Sequence, residues 1–257
     1  MQTIEKMQGR HIVIVPTYNE AENILRLAGG IAKADSGLHL LVMDDNSPDG
    51  TAQIALKAFA EKPEFANFRV IVRSGKRGLG RAYVEGFLTA LEEGYERIIQ
   101  MDADLSHDPT RLTALLEATD NSDVAIGSRY CPGGSVENWA YSRILLSRFA
   151  CRYVHAVARI PIADVTAGYR CWSSKALRAI QVETIQSDGY SFQVEMAHRA
   201  IQAGMSITEV PICFTDRVHG KSKISRKVLL ESFVLPWRLR FHPWKPTTMT
   251  SVFRSSH

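Results

Sequence analysis

No apolar run in the 257-residue chain reaches the roughly 20 residues that a membrane-spanning helix requires, so the sequence reads as a globular protein. Cysteine is scarce. Cys131, Cys151, Cys171 and Cys213 form no Cys-x-x-Cys pair, and read as isolated buried thiols of a reducing compartment. No zinc-ligand spacing and no Ser-His-Asp elbow occurs, so nucleophilic hydrolysis has no support. A secretory signal is not visible, because the N-terminal segment is polar and reaches a strand almost at once. Internal repeats, low-complexity stretches and linkers are missing up to about Gly220.

What is present is ordinary for a folded domain: 45% hydrophobic and 23% charged residues. The length fits one large α/β domain with a substantial core. The net charge of +4 conceals an asymmetry. From Arg217 onward lie nine of the 31 Lys/Arg and one of the 27 acids, Glu231, which leaves −4 on the preceding segment. A basic tail on an acidic body suits a polyanionic partner, whether phosphate, nucleic acid or an anionic membrane, or else is a solvated end.

Apolar runs predict strands at His11–Thr17, Leu40–Met43, Phe68–Val72, Arg97–Met101, Val124–Ile126 and Ile207–Phe214. Helical periodicity predicts Glu20–Ala34, Thr51–Glu61, Arg81–Glu93, Thr110–Ala118 and Phe192–Ala203 between them, with Asn19 as cap of the first. Such alternation gives a mostly parallel sheet covered on both faces, with polar loops collected on one edge.

The run Ile98–Pro109, IIQMDADLSHDP, organises the chain. It delivers Asp102 and Asp104 to a strand end, where alternate residues point the same way. Open α/β sheets bind ligands outside the carboxyl ends of their strands. Two carboxylates there suit Mg²⁺ shared with substrate phosphates, although Asp-x-Asp is equally a turn or cap pattern. His107 reads as a local hydrogen-bonding residue.

The other loops supply compatible parts. PTYNE (Pro16–Glu20) offers Tyr18 as a face for a base and Glu20 as an acceptor, and Asp44 and Asp45 stand at the end of the second strand. The glycine-rich Gly75–Ala82, with Lys76, Arg77 and Arg81, offers backbone and a helix N-terminus to phosphate. It is neither a P-loop nor a dinucleotide fingerprint. Arg129 ends the fifth strand, where it can hold phosphate bidentately. Arg217 and Lys223 sit on FTDRVHGKSK, a loop suited to closing over a pyrophosphate.

Asn138–Ile160 reads as a helix with Arg148, Arg152, His155 and Arg159 on one face and Leu146, Phe149, Tyr153, Val157 and Ile160 on another. That describes an interfacial membrane helix or an amphipathic helix packed on the sheet. Arg143 and Ser147 lie one turn apart and can meet an anionic head group together. Asp164–Trp172 reads as a loop, GYSFQVE (Gly189–Glu195) opens a helix that carries Gln193 and Glu195 inward, and Leu229–Arg240 is a second membrane-surface segment.

PTYNE, DDNSPDGT, GLGRAY, MDADLSHDP, GSRY, DVTAGYR, GYSFQVE and FTDRVHGKSK occur in this order over Ile12–Lys227. The series closely resembles the polyprenyl-phosphate mannosyltransferases, including dolichol-phosphate mannose synthases, of the inverting family-two glycosyltransferases, and most of all the bacterial type without a membrane span. The resemblance implies the nucleotide-sugar-binding, Rossmann-like GT-A fold over residues 1–220, and a basic amphipathic extension over 221–257. It implies that Pro16, Tyr18, Glu20, Met43 and Asp45 hold the guanosine of GDP-mannose, and that Asp102, Ala103 and Asp104 contact the diphosphate and its Mg²⁺ or Mn²⁺. The resemblance makes Asp104 the strongest ligand candidate. Ser106 stands where some relatives carry a glutamine ligand, and is expected to coordinate more weakly or through water. Arg129, Arg217 and Lys223 are expected to neutralise phosphates and act in catalysis, and Arg143 and Ser147 to meet the lipid phosphate. Implied with this are a polyprenyl phosphate acceptor, a peripheral place on the cytoplasmic face of a membrane, a possible separate anchoring protein, and no nucleic acid. A UDP-glucose donor and an idle nucleotide-sugar-binding module are the alternatives.

Overall fold

The computed structural model describes residues 10–74, 78–216 and 226–245, with backbone alone for 226–232. The elements run β1 (His11–Thr17), α1 (Ile24–Ala34), β2 (His39–Asp44), α2 (Thr51–Glu61), β3 (Phe68–Val72), α3 (Leu79–Glu92), β4 (Arg97–Gln100), α4 (Leu112–Ala118) and β5 (Val124–Ser128). They continue with β6 (Ser135–Glu137), α5 (Tyr141–Ala158), β7 (Arg170–Ser173), α6 (Ser174–Ala179), α7 (Gly189–Gln202), β8 (Ile207–Pro211), β9 (Cys213–Thr215) and α8 (Arg226–Phe241).

Seven strands form one sheet in the order β3-β2-β1-β4-β7-β5-β8. All neighbours are parallel except β7, which runs antiparallel to β4 and β5. Both faces are covered, so Ile12 to Val15 are fully buried although their side chains alternate. Ile12 and Ile14 enter the core shared with α3, α5 and α7, while Val13 and Val15 enter the one shared with α1, α2 and α4. Each such side chain stabilises the fold by about 1.5–3 kcal/mol relative to an exposed position.

Three expectations change. The segment from Asp164 to Trp172 is not loop throughout, because β7 begins at Arg170 and is buried along its length. The strand expected over Ile207–Phe214 breaks at Ile212, where the chain leaves the main sheet and pairs β9 with β6. Helix α1 starts at Ile24 rather than Glu20, and Asn19 lies in the left-handed region (φ 64°) instead of capping it. The N–H groups that Asn19 was expected to organise find partners in the loop after β2. Asn19, Glu20 and Ala21 donate to Ser47 Oγ, Thr51 Oγ1 and Asp49 Oδ2, each at 3.0 Å. The two loops are thereby one unit at the carboxyl edge of the sheet.

Candidate active site

The carboxyl ends of β1, β2 and β4 open on a cavity of about 260 Å³. Pro16, Tyr18, Glu20, Asp45, Asp102, Ala103 and Asp104 all line it, together with Thr17, Gly78, Leu79 and Ala82. A larger open groove of about 490 Å³, lined by Arg97, Asp123, Lys175 and Ser206 among others, lies at the opposite edge, away from the motif loops. Met43 is the exception among the expected guanosine contacts. Its side chain is 1% exposed and packs with Ile14 in the core, close against Gly86 of α3. The inward-facing position of β2 claims it, and Asp45, two residues on, reaches the cavity instead.

The carboxylate pair sits on a turn built to hold it. Asp104 is 5% exposed, and its Oδ1 accepts the Ser106 N–H at 3.1 Å. Between them Leu105 takes a left-handed conformation (φ 64°), which is uncommon for a residue of that kind and belongs with functional turns. Asp102 Oδ1 accepts the Tyr83 hydroxyl at 3.1 Å. Tyr83 is fully buried between Phe87 and Phe192, and burial together with the Asp102 charge holds its phenol well above the usual pKa. The Asp102 N–H donates to His107 Nδ1 at 3.2 Å. His107 is buried, which lowers its pKa, so the ring stays neutral with Nδ1 as acceptor. Ser106 Oγ is buried and has no hydrogen-bond partner among the described residues.

Asp102 and Asp104 line the cavity together, and two carboxylates are oxygen donors of the kind that a hard divalent cation takes. The described residues contain no group of three or more His, Cys, Asp and Glu placed to hold a metal. A cation here would therefore complete its shell with water or substrate oxygens, as Mg²⁺ usually does. The chain fits such an ion.

Only part of the glycine-rich loop belongs to the described residues. Gly75, Lys76 and Arg77 lie outside the described residues, and Arg81 is exposed. The N-terminus of α3 already has an anion: the Gly80 N–H donates to Asp188 Oδ1 at 2.6 Å. Gly78 (φ 98°) and Gly80 are needed for that approach, since a Cβ at Gly80 would lie 2.6 Å from the Ser187 carbonyl. Asp44 is likewise committed, accepting from Thr17 Oγ1 (2.7 Å), Ser47 N (2.8 Å) and Ser47 Oγ (2.6 Å).

The basic side of the site stands on the same edge. Arg129 was expected to hold phosphate with both prongs. In the structure its Nε and Nη2 each donate to Asp164 at 2.6 Å, and Nη2 also reaches Thr166 Oγ1 at 2.9 Å. Burial opposes the charge, but the Asp164 bonds and charge outweigh it and raise the Arg129 pKa. Arg143, on the first turn of α5, lies 3.8 Å over the Trp139 ring and donates to Asp216 at 2.8 Å. Arg129 lies 5.5 Å from the same ring, and 5.3 Å from that of Phe214. Phe214 in turn meets the His107 ring edge-on at 5.5 Å. The acids and the arginines are thus joined through His107 and Phe214. Ser147 follows Arg143 by one turn and is half-buried. Arg217 and Lys223 lie outside the described residues.

Sequence reading passed over Tyr83 and Arg73, although both sit in or beside motifs it used. Tyr83 tests the carboxylate pair without touching the cavity. Tyr83→Phe keeps the packing and removes one donor to Asp102. We expect a fall of about tenfold in turnover at limiting Mn²⁺, partial recovery at saturating Mn²⁺, and a small change in melting temperature.

A glycosyl transferase family 2 model matches residues 12–180. The chain is 43% identical over 234 residues to the polyprenol monophosphomannose synthase of Mycolicibacterium smegmatis, covering 90% of this chain and 88% of that protein. It is 43% identical over 225 residues to the undecaprenyl-phosphate mannosyltransferase of Micrococcus luteus, covering 88% and 91%. In fold it is similar to glucosyl-3-phosphoglycerate synthase from Mycobacterium tuberculosis, solved with Mn²⁺, UDP and glucosyl-3-phosphoglycerate. The TM-score is 0.65 at 16% identity, covering 89% of this chain and 80% of that one. The ordered motifs, the carboxylate-lined cavity at the sheet edge and these likenesses agree: the chain belongs to glycosyl transferase family 2.

Proposed function

We propose that the protein transfers mannose from GDP-mannose to a polyprenyl monophosphate, with inversion, at the cytoplasmic face of a membrane. The observation that carries this reading is one cavity lined by Tyr18, Glu20, Asp45, Asp102 and Asp104 in a chain whose relatives bear mannosyltransferase names. The acceptor phosphate is already an anionic nucleophile, so no general base is needed. Asp102 and Asp104 would hold Mg²⁺ or Mn²⁺, with Ser106 as a weaker contact. When bound, that ion stabilises the charge growing on the departing diphosphate. Arg143, stacked on Trp139, and Ser147 one turn further on would receive the acceptor phosphate. Arg129 supports that side by fixing the loop that carries Asp164. Arg217 and Lys223 are assigned by resemblance alone. One displacement from the face opposite the leaving group inverts the anomeric carbon.

The test is a panel of GDP-mannose and UDP-glucose against polyprenyl phosphates, with Mn²⁺ and product analysis. GDP release with a polyprenyl phosphate is expected. No turnover with any polyprenyl phosphate overturns the reading, and preference for UDP-glucose replaces the donor.

Membrane docking has its own support. No helix among the described residues is long and apolar enough to cross a bilayer. Helix α5 buries Cys151, Val154 and Ala158 and leaves Tyr141, Leu145, Leu146 and Phe149 exposed. The face named in the sequence is therefore split, with Tyr153 and Val157 half-buried. Helix α8 packs beside it: Tyr153 donates to the Phe233 carbonyl at 2.8 Å, and Leu235 and Leu239 are buried. Phe233, Val234, Trp237 and Phe241 stay exposed. Apolar side chains with Arg148, Arg152, Arg238 and Arg240 nearby suit an anionic interface. We expect flotation with anionic liposomes that weakens as salt rises. No binding at low salt contradicts the docking.

A further inference from the structure

Asp45, which lines the cavity, is held by an arginine that does not. Arg73 follows β3 directly, and its side chain is 1% exposed. Its Nη1 donates to Asp45 Oδ1. On its other side Nε and Nη2 fork onto Glu85 of α3, at 2.7 and 3.3 Å. Its own N–H donates to the Asp44 carbonyl at 2.7 Å, and the Asp45 N–H to the Thr17 carbonyl at 3.0 Å. Three elements thus converge to fix one carboxylate, and that carboxylate lines the cavity beside Pro16, Thr17 and Tyr18.

A guanidinium buried in this way does two things to Asp45. It sets a positive charge against the carboxylate in a site that already carries Glu20, Asp102 and Asp104. It also fixes the plane in which the carboxylate faces the cavity, since one oxygen is held by Arg73 Nη1. Guanine presents an adjacent ring N–H and amino N–H, which one carboxylate can accept together. Uracil presents a single N–H between two carbonyls, so a carboxylate fixed for the first pattern sets acceptor against acceptor on the second. A polar site built for one pattern rejects a ligand that leaves its groups unpaired.

We propose that Arg73 is a positioning residue for base selectivity, which aims Asp45 at the donor edge of a guanine nucleotide. The inference rests on the GDP-mannose reading and names a determinant of it.

The experiment compares Arg73→Lys with the unmodified protein. It measures affinity for GDP and UDP in the presence of Mn²⁺, and kcat and KM for the donor. Lysine keeps the charge and loses the fork. We expect GDP to bind about tenfold more weakly, which is the scale of one charged hydrogen bond, with UDP affinity and kcat within about threefold. A melting curve separates this from unfolding. Where Arg73→Lys does not fold, the double variant Arg73→Met with Asp45→Asn removes both charges, and must then bind GDP and UDP alike. A GDP preference that survives Arg73→Lys or, where that fails to fold, the double variant, overturns the inference alone, as does an equal loss for both nucleotides. Equal affinity of the unmodified protein for GDP and UDP overturns the donor reading and the inference with it.

Discussion

Asp104→Ala is expected to lower turnover by at least about a thousandfold while the protein stays folded. The side chain has two separable jobs. Its Oδ1 accepts the Ser106 N–H at 3.1 Å and so closes the turn, and its carboxylate faces the cavity beside Asp102. Losing the turn bond costs about 1 kcal/mol, which a domain of this size tolerates. Losing the charge removes one of two carboxylates in the donor set, and Ser106 Oγ is a poor replacement because it is neutral. Asp104→Asn sharpens the test. An amide oxygen can still accept from Ser106, so the melting temperature should not move, yet turnover should fall almost as far. Activity that survives both substitutions would remove the metal assignment, and with it the account of how the leaving group departs.

The carboxylate pair was legible in the sequence because it follows an apolar run at the sheet edge that binds ligands, and a parallel strand buried on both faces is hard to mistake. The same holds for the PTYNE and DDNSPDGT loops. What stayed hidden has distant partners. Asp188 reaches Gly80 across more than a hundred residues, and Asp164 meets Arg129 across 35. Neither pairing has a local signature, so nothing in the sequence around Gly80 or Arg129 announces its partner. Strand β7 was missed for a related reason. It opens on Arg170, which is fully buried because its guanidinium donates to the carbonyls of Ala167 (2.8 Å), Gln193 (2.9 Å) and Val165 (2.7 Å). Burial lowers its pKa to about 10, so it remains charged at neutral pH. A charged residue inside a strand defeats a pattern that expects apolar alternation. Met43 stands at the strand end as read, with its side chain in the core.

The second large effect is expected at Asp164, which is fully buried and takes three donors from Arg129: N at 2.9 Å, and Nε and Nη2 at 2.6 Å. Asp164→Ala leaves a buried guanidinium without its counter-ion, a change that costs about 3–5 kcal/mol. At about 2–4 °C per kcal/mol for a chain of this size, melting should fall by roughly 6–20 °C. Turnover should fall too, because the segment after Asp164 brings Gly168 to the Asp102 carboxylate. A Cβ there would lie 3.4 Å from Oδ2. The pair replaced together, Arg129→Met with Asp164→Leu, distinguishes the two roles Arg129 can have. Removing both charges restores much of the stability, since apolar replacements of buried ion pairs are often neutral or better. If Arg129 only anchors the loop, activity should return with stability. If its charge also offsets the repulsion between two anionic substrates beside Arg143, the doubly substituted protein will melt near the original temperature and still turn over slowly, with the loss concentrated in KM for the acceptor. An unchanged melting temperature for Asp164→Ala would show instead that the buried pair holds nothing together, and the placement of Arg129 would need another cause.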